Sequence, residues 1–302
     1  MRRTALSWTL GTLVVAAFAV AVGGRWRDVG RELATLGLGA VIVAFLLCLA
    51  GVALTGVAWL VVLADLGSPL PVVAGARVFF VGQLGKYVPG SVWPVMMQMR
   101  MGRALGVPRG RMAVTFVVVL GLSVAWGLVL GLVAVPSLLG GSGRTYLWLL
   151  ALLPPAAVFL HPRPLNAVLN ALLRLARRPP LEHPLSGRRL ALAGVLLVGF
   201  WVVAGLHVWV LAVDLGAAPA GALPVALGGF ALAFCVGPLV VLAPAGAGVR
   251  EAVLVVLLGA VLPTSAAVAV ALVSRLLLAL VDGMLAAAAL LAAHRPPRAP
   301  RG

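Results

Sequence analysis

An all-α, polytopic membrane fold is what this sequence predicts, and three observations carry it. Apolar runs of about 20 residues, the length needed to cross a bilayer, recur along the chain. With 63% hydrophobic and 10% charged residues and a mean hydropathy of +1.16, the composition far exceeds that of a soluble domain, where about half the residues are apolar and a quarter charged. The polar interruptions are short Pro/Gly breaks rather than soluble domains.

The elements follow in order. Arg2-Arg3 leads into an apolar run, 5–22, flanked by Gly23-Gly24-Arg25; it reads as an uncleaved first span, with a signal peptide as the alternative. The runs 38–64, 112–135, 190–213 and 264–292 are clear spans, and 145–160, kinked by Pro154-Pro155, is counted as the sixth. Two regions remain, 72–105 and 221–260. The first contains Gly85-Lys86-Tyr87-Val88-Pro89-Gly90-Ser91-Val92-Trp93-Pro94 and the second Pro244-Ala245-Gly246-Ala247-Gly248-Val249-Arg250-Glu251. Backbone broken by Pro and Gly persists at membrane depth only where protein or a wet cavity receives its polar groups. The two regions therefore read as re-entrant helical hairpins beside six full spans; the alternative is eight transmembrane segments.

Charge supports the re-entrant form. The chain has 23 basic and 7 acidic residues, a formal charge of +16. With a cytoplasmic N-terminus and two re-entrant hairpins, 15 arginines fall on the cytoplasmic side, six of them in the basic loop 161–189, and the C-terminus is cytoplasmic too. Only Arg25, Arg27, Arg31 and Arg144 fall outside, as the positive-inside bias requires. A nucleic-acid role is excluded because no soluble domain carries the charge. Lys86 is the only lysine, and the Arg-, Ala- and Val-rich composition points to a bacterial inner-membrane protein from a GC-rich genome.

An internal repeat is expected within one membrane domain, 1–302. Trp59 and Asp65-Leu66-Gly67 recur as Trp209 and Asp214-Leu215-Gly216, while Pro89 and Pro108 share their spacing with Pro244 and Pro263. The units 38–135 and 190–292 then point in opposite directions, the inverted repeat that places a transport site where two broken hairpins meet.

The charges within apolar sequence are Arg77, Lys86, Arg250, Glu251, Arg275 and Asp282. Each costs about 2.5–3.5 kcal/mol at the centre of a span and is a functional candidate by default. Arg250 and Glu251 are adjacent, so they leave their helix in different directions, and Arg275 is the expected partner of Glu251. Arg275 and Asp282 lie seven apart, on one face and about 10 Å apart along it. Four cations against two carboxylates leave two positive charges over, which an anionic head group would satisfy, phosphate being suited to the arginine fork. Gly246 and Gly248 offer N–H groups at a helix start. The expected substrate-binding set is Lys86, Pro89, Gly90, Gly246, Gly248, Arg250, Glu251, Arg275 and Asp282.

No catalytic, metal or cofactor site is expected. Cys48 and Cys235 lie in apolar runs, and the histidines are scattered. His207, in mid-span, reads as a hydrogen-bonded helix contact, and no nucleotide-cradling Gly-rich loop is present. Trp93, Trp126, Trp201 and Trp209 read as packing or interfacial residues.

With Lys86-Tyr87-Val88-Pro89-Gly90 followed by Arg103, and Pro244-x-Gly246-x-Gly248-Val249-Arg250-Glu251 followed by Arg275, the chain resembles the flippase-like membrane domain of lysylphosphatidylglycerol synthases over about residues 5–292. That resemblance implies movement of lipid between leaflets, here by a stand-alone member without a synthase domain. The chain departs from relatives with an acid in the first motif or the following span: it has Gly90-Ser91-Val92 and an acid-free 112–135. The expected function is transport of an anionic phospholipid or polyprenyl-phosphate-linked lipid, with no enzyme activity. The alternative is a non-catalytic accessory subunit whose partner is a cell-envelope glycosyltransferase or lipid synthase.

Overall fold

A computed structural model describes residues 26–88, 92–132, 153–236 and 248–293. Among them are eleven α-helices and no strand. In chain order they are α1 (Trp26–Thr35), α2 (Leu38–Asp65), α3 (Val72–Gln83), α4 (Trp93–Arg103), α5 (Arg109–Gly131), α6 (Leu153–Leu160), α7 (Pro162–Leu175), α8 (Gly187–Asp214), α9 (Pro219–Val236), α10 (Val249–Leu258) and α11 (Thr264–Ala293). A 3₁₀ turn, Leu84–Tyr87, continues α3.

Four of the expected spans are observed as α2, α5, α8 and α11, each long and apolar enough to cross a membrane. The run 5–22 lies outside the described residues. Of 145–160, the described part is the eight-residue α6.

α2 and α8, 28 residues each, form the central pair. At 1.5 Å per residue each is about 42 Å long, so both exceed the roughly 30 Å hydrocarbon core and are expected to tilt. Their ends show what the repeated Asp-Leu-Gly does. Gly67 and Gly216 adopt φ of +81° and +94°, which glycine reaches without Cβ strain. In each case the following N–H bonds five residues back, Ser68 to Leu63 O (3.2 Å) and Ala217 to Ala212 O (3.0 Å), closing a Schellman turn. The aspartate before it caps the partner helix. Asp65 accepts from Ser186 N (2.7 Å) and Ser186 Oγ (2.9 Å) just ahead of α8. Asp214 accepts from Gly37 N (2.7 Å) just ahead of α2. The C-terminus of each helix meets the N-terminus of the other, so the pair is antiparallel and reciprocally capped.

The helices of the two interrupted regions are mostly too short to span. α3, α4 and α10 have 12, 11 and 10 residues, about 15–18 Å. α3 packs on α4, and α9 on α10, as two helical hairpins; the stretches 89–91 and 237–247 between them, with Pro89, Gly90, Pro244 and Gly246, lie outside the described residues. Each hairpin rests on the last long helix of the other half, α3 on α11 and α9 on α5. Glycines admit the crossings over the central pair. A Cβ at Gly56 would lie 2.8 Å from Phe80 Cζ, and one at Gly205 would lie 2.6 Å from Leu227 Cα. Gly56 and Gly205 are 149 residues apart, the same offset as Asp65 and Asp214.

The core has two centres. One gathers Phe200, Trp201, Phe230 and Leu254 from α8, α9 and α10; the other gathers Trp59, Phe79, Met112 and Leu165 from α2, α3, α5 and α7. Their indole N–H groups are satisfied, Trp201 by Ser123 O (2.9 Å) and Trp59 by Gln98 Oε1 (3.1 Å), as buried donors must be.

The basic stretch 161–189 is not an irregular loop throughout, since α7 occupies its first half. His161 caps the helix, accepting from Arg163 N at 3.3 Å, and Pro162 fits the first turn. Leu165 and Leu169, one turn apart, are buried. On the same helix Asn166 exchanges hydrogen bonds with Leu185 O and N (2.9 and 3.0 Å), while Asn170 accepts from Leu181 N at 2.9 Å. Arg111 holds the same segment to the end of α2 through Gly67 O (2.8 Å), Ser68 Oγ (3.0 Å) and Glu182.

Candidate functional site

The charged residues of the hairpins converge on α11. The 3₁₀ turn after α3 carries Lys86 and Tyr87, and its shape depends on Gly85. A Cβ there would stand 2.9 Å from Pro94 N and Trp93 C, in the opposite arm of the hairpin. With the arms this close, the turn delivers both side chains to Asp282. Lys86 Nζ lies 2.7 Å from Asp282 Oδ2, and Tyr87 Oη donates to the same oxygen at 2.6 Å. Asp282 is 2% exposed and Lys86 33%, so the pair has a buried anion and a cation with a wetter, flexible stem.

Two turns back along α11, Arg275 reaches the other hairpin. Its Nη1 lies 3.3 Å from Glu251 Oε1, the partnership expected from the sequence. Its guanidinium carbon also stands 5.9 Å from the centre of the Tyr87 ring. Tyr87 thus meets both Arg275 and Asp282. Glu251 does a second task. Gly248, at φ +84°, starts α10, and its N–H donates to Glu251 Oε2 at 2.7 Å, which secures the helix start. One carboxylate therefore holds both the entry to α10 and the arginine of α11.

Arg250 leaves α10 in another direction. Its guanidinium lies over Phe230 (4.7 Å) and Phe234 (5.0 Å), one turn apart on α9, a cation–π seat. Among the described residues no carboxylate forms an ion pair with it. Phe230 also meets the His207 ring nearly at right angles, centroids 5.0 Å apart, and His207 Nε2 hydrogen-bonds Ser274 Oγ at 2.8 Å. His207 is a helix contact of the kind expected.

Of the expected site residues, the structure brings together Lys86, Gly248, Arg250, Glu251, Arg275 and Asp282. Pro89, Gly90 and Gly246 lie outside the described residues. Arg77, which the charge count had included, is exposed on α3: Val78 and Phe79 turn that helix inward and leave Arg77 at the surface, where its long stem can snorkel. Among the described residues the excess of positive charge in the site is therefore one, not two. The residues that sequence reasoning missed are Tyr87, Phe230 and Phe234. Tyr87 stood inside the quoted Lys86-to-Gly90 motif. The phenylalanines carried a weaker signal, their four-residue spacing on one face of α9.

The arrangement holds three cations, two carboxylates and a phenol between two interrupted hairpins. No group of three or more metal-ligating residues occurs among the described residues. None of the curated proteins compared with the chain matches it. The sequence model of the lysylphosphatidylglycerol synthase transmembrane region matches residues 7–286, and the chain therefore belongs to that family of multi-pass membrane domains.

Proposed function

We propose that the protein is a flippase-like transporter of an anionic phospholipid or polyprenyl-phosphate-linked lipid in a bacterial inner membrane. The observation that carries this reading is the convergence of Lys86, Arg250 and Arg275 from both hairpins and α11 on one region. Intramembrane cations are costly and are retained where they serve a substrate or a pathway. The head group binds among these three, with Tyr87 as an added donor; Glu251 and Asp282 balance charge and hold the cations in place.

The movement rests on an inverted repeat of units 38–135 and 190–292. Its support is the reciprocal capping by Asp65 and Asp214, the matched glycines 56 and 205, and the way each hairpin lies on the last helix of the other half. Rocking of one half against the other about the α2–α8 pair would expose the head group to each side in turn. The termini and the region 161–189 are cytoplasmic in this scheme.

The test is a leaflet-resolved assay in liposomes containing an NBD-labelled anionic phospholipid, with dithionite reporting the outer leaflet. Wild type accelerates exchange, and Arg250→Gln, which removes a cation without stranding a carboxylate, returns it to the protein-free rate. Exchange by Arg250→Gln at the wild-type rate would refute the assignment.

A further inference from the structure

Among the described residues five charged side chains set the charge of the site, and we propose that it selects a head group with a single negative charge, accepting a doubly charged one only together with one proton. This rests on the anion site proposed above and concerns what that site takes.

Lys86, Arg250 and Arg275 against Glu251 and Asp282 leave one positive charge. The hairpin tips do not alter the count, because 89–91 and 237–247 contain no ionisable side chain. The polar and titratable groups on the elements packed against α11 can be named in turn. Tyr87 comes from the turn after α3, His207 from α8 and Cys48 from α2, each counted neutral; Arg250 and Glu251 come from α10. Arg275 and Ser274 share α11 with Asp282. α1 meets the start of α11 through Glu32 and Ser265, and Arg77 of α3 is exposed. Uncompensated charge out of water is strongly disfavoured, so a bound head group should bring the enclosed sum to zero.

A phosphodiester carries one negative charge and does so with both carboxylates ionised. A phosphate monoester, whose second proton leaves near pH 6, carries two negative charges at pH 8 and leaves the site one negative. The balance is restored when the doubly charged group is bound together with one proton from solution, which the phosphate, a stronger base than a carboxylate, carries. Lys86, the partly exposed cation, is the one a phosphate can draw away from Asp282. Asp282 keeps the Tyr87 hydroxyl as a partner, and Glu251 remains fixed by Gly248 N and Arg275.

The experiment is calorimetric titration of the purified full chain with dihexanoyl phosphatidylglycerol and dihexanoyl phosphatidic acid at pH 8. Running it in Tris and in Hepes, whose ionisation enthalpies differ, gives the number of protons taken up. The diester is expected to bind with none, the monoester with about one, and the monoester dissociation constant should rise about tenfold per pH unit between 7.5 and 9, the slope of one coupled proton. Asp282→Asn, and in parallel Glu251→Gln should the first not fold, should bind the monoester without proton uptake or pH slope. Proton uptake with the diester, or none with the monoester, overturns the charge count. Failure of both lipids to bind overturns the anion site itself.

Discussion

The two places where a hairpin meets the last helix of the other half share a geometry and differ in chemistry. Lys86 lies at the end of the first arm of hairpin one and pairs with Asp282 of α11. Adding 149, the offset of Asp65 from Asp214, to Lys86 gives Cys235, at the end of the first arm of hairpin two. Subtracting 155, the offset of Pro89 from Pro244 and of Pro108 from Pro263, from Asp282 gives Gly127 of α5. These counterparts also meet: a Cβ on Gly127 would lie 2.7 Å from Cys235 Sγ. One contact is an ion pair with a tyrosine hydroxyl, and the other is an apolar close approach beside Trp201. Both contacts join a hairpin to a long helix, while the ionic chemistry sits on one of them. A charged pair within a membrane has to overcome the loss of its hydration, whereas a glycine–thiol contact packs at little cost. The ionic version is therefore retained where charge has a use.

The largest effect should come from stranding the buried carboxylate. Lys86→Met leaves Asp282 with only the Tyr87 hydroxyl, and breaking a buried pair from one side costs about 3 kcal/mol. The double variant Lys86→Met/Asp282→Asn should recover most of that loss in thermal unfolding in detergent. A single variant as stable as wild type would show that the pair does not hold the hairpin.

The apolar counterpart should fail in a different way. Gly127→Ala places a methyl 2.7 Å from Cys235 Sγ and 2.8 Å from the Trp201 ring, an overpacking worth about 2 kcal/mol. Adding Cys235→Ala should relieve part of this, because one of the two obstructing groups is gone. No relief would place the strain on Trp201 alone.

The smallest effects belong to the reciprocal caps. Asp65→Ala should cost about 1–2 kcal/mol and Asp214→Ala about 1 or less, since Asp65 makes two hydrogen bonds at its partner helix and the exposed Asp214 one. The sites lie at opposite ends of helices about 42 Å long, so the double variant should lose the sum of the two. A marked departure from additivity would mean that the two ends are coupled through the α2–α8 pair.

Parts of this were legible in sequence because lipid constrains sequence severely. The runs 38–64, 112–135, 190–213 and 264–292 became α2, α5, α8 and α11 because few alternatives exist for apolar chain in hydrocarbon. Glu251 could be assigned to Arg275 because neighbouring side chains on a helix diverge. Asp-Leu-Gly was visible as a repeat, but its role was not: a cap on another helix exists only once antiparallel placement brings residues 65 and 186 together. Arg77 was miscounted because sequence does not report the rotation of a short helix whose inward face is set by Phe79. α7 was hidden because its arginines and prolines read as loop, while Leu165 and Leu169 become core only against Leu185 and its neighbours. Tyr87 was overlooked because a phenol carries no charge to flag it, although its hydroxyl is what joins hairpin one to α11 as closely as Lys86 does.

The central claim is that anion binding belongs to the cations Lys86, Arg250 and Arg275 and not to the apolar contact of Gly127 with Cys235. Native mass spectrometry of the detergent-extracted chain, offered equal amounts of an anionic and a zwitterionic phospholipid, tests it most directly. The account predicts preferential retention of the anionic lipid by wild type and by Cys235→Ala, and loss of that preference in Arg250→Gln. Equal preference in Arg250→Gln and wild type, or equal loss in Arg250→Gln and Cys235→Ala, would contradict it.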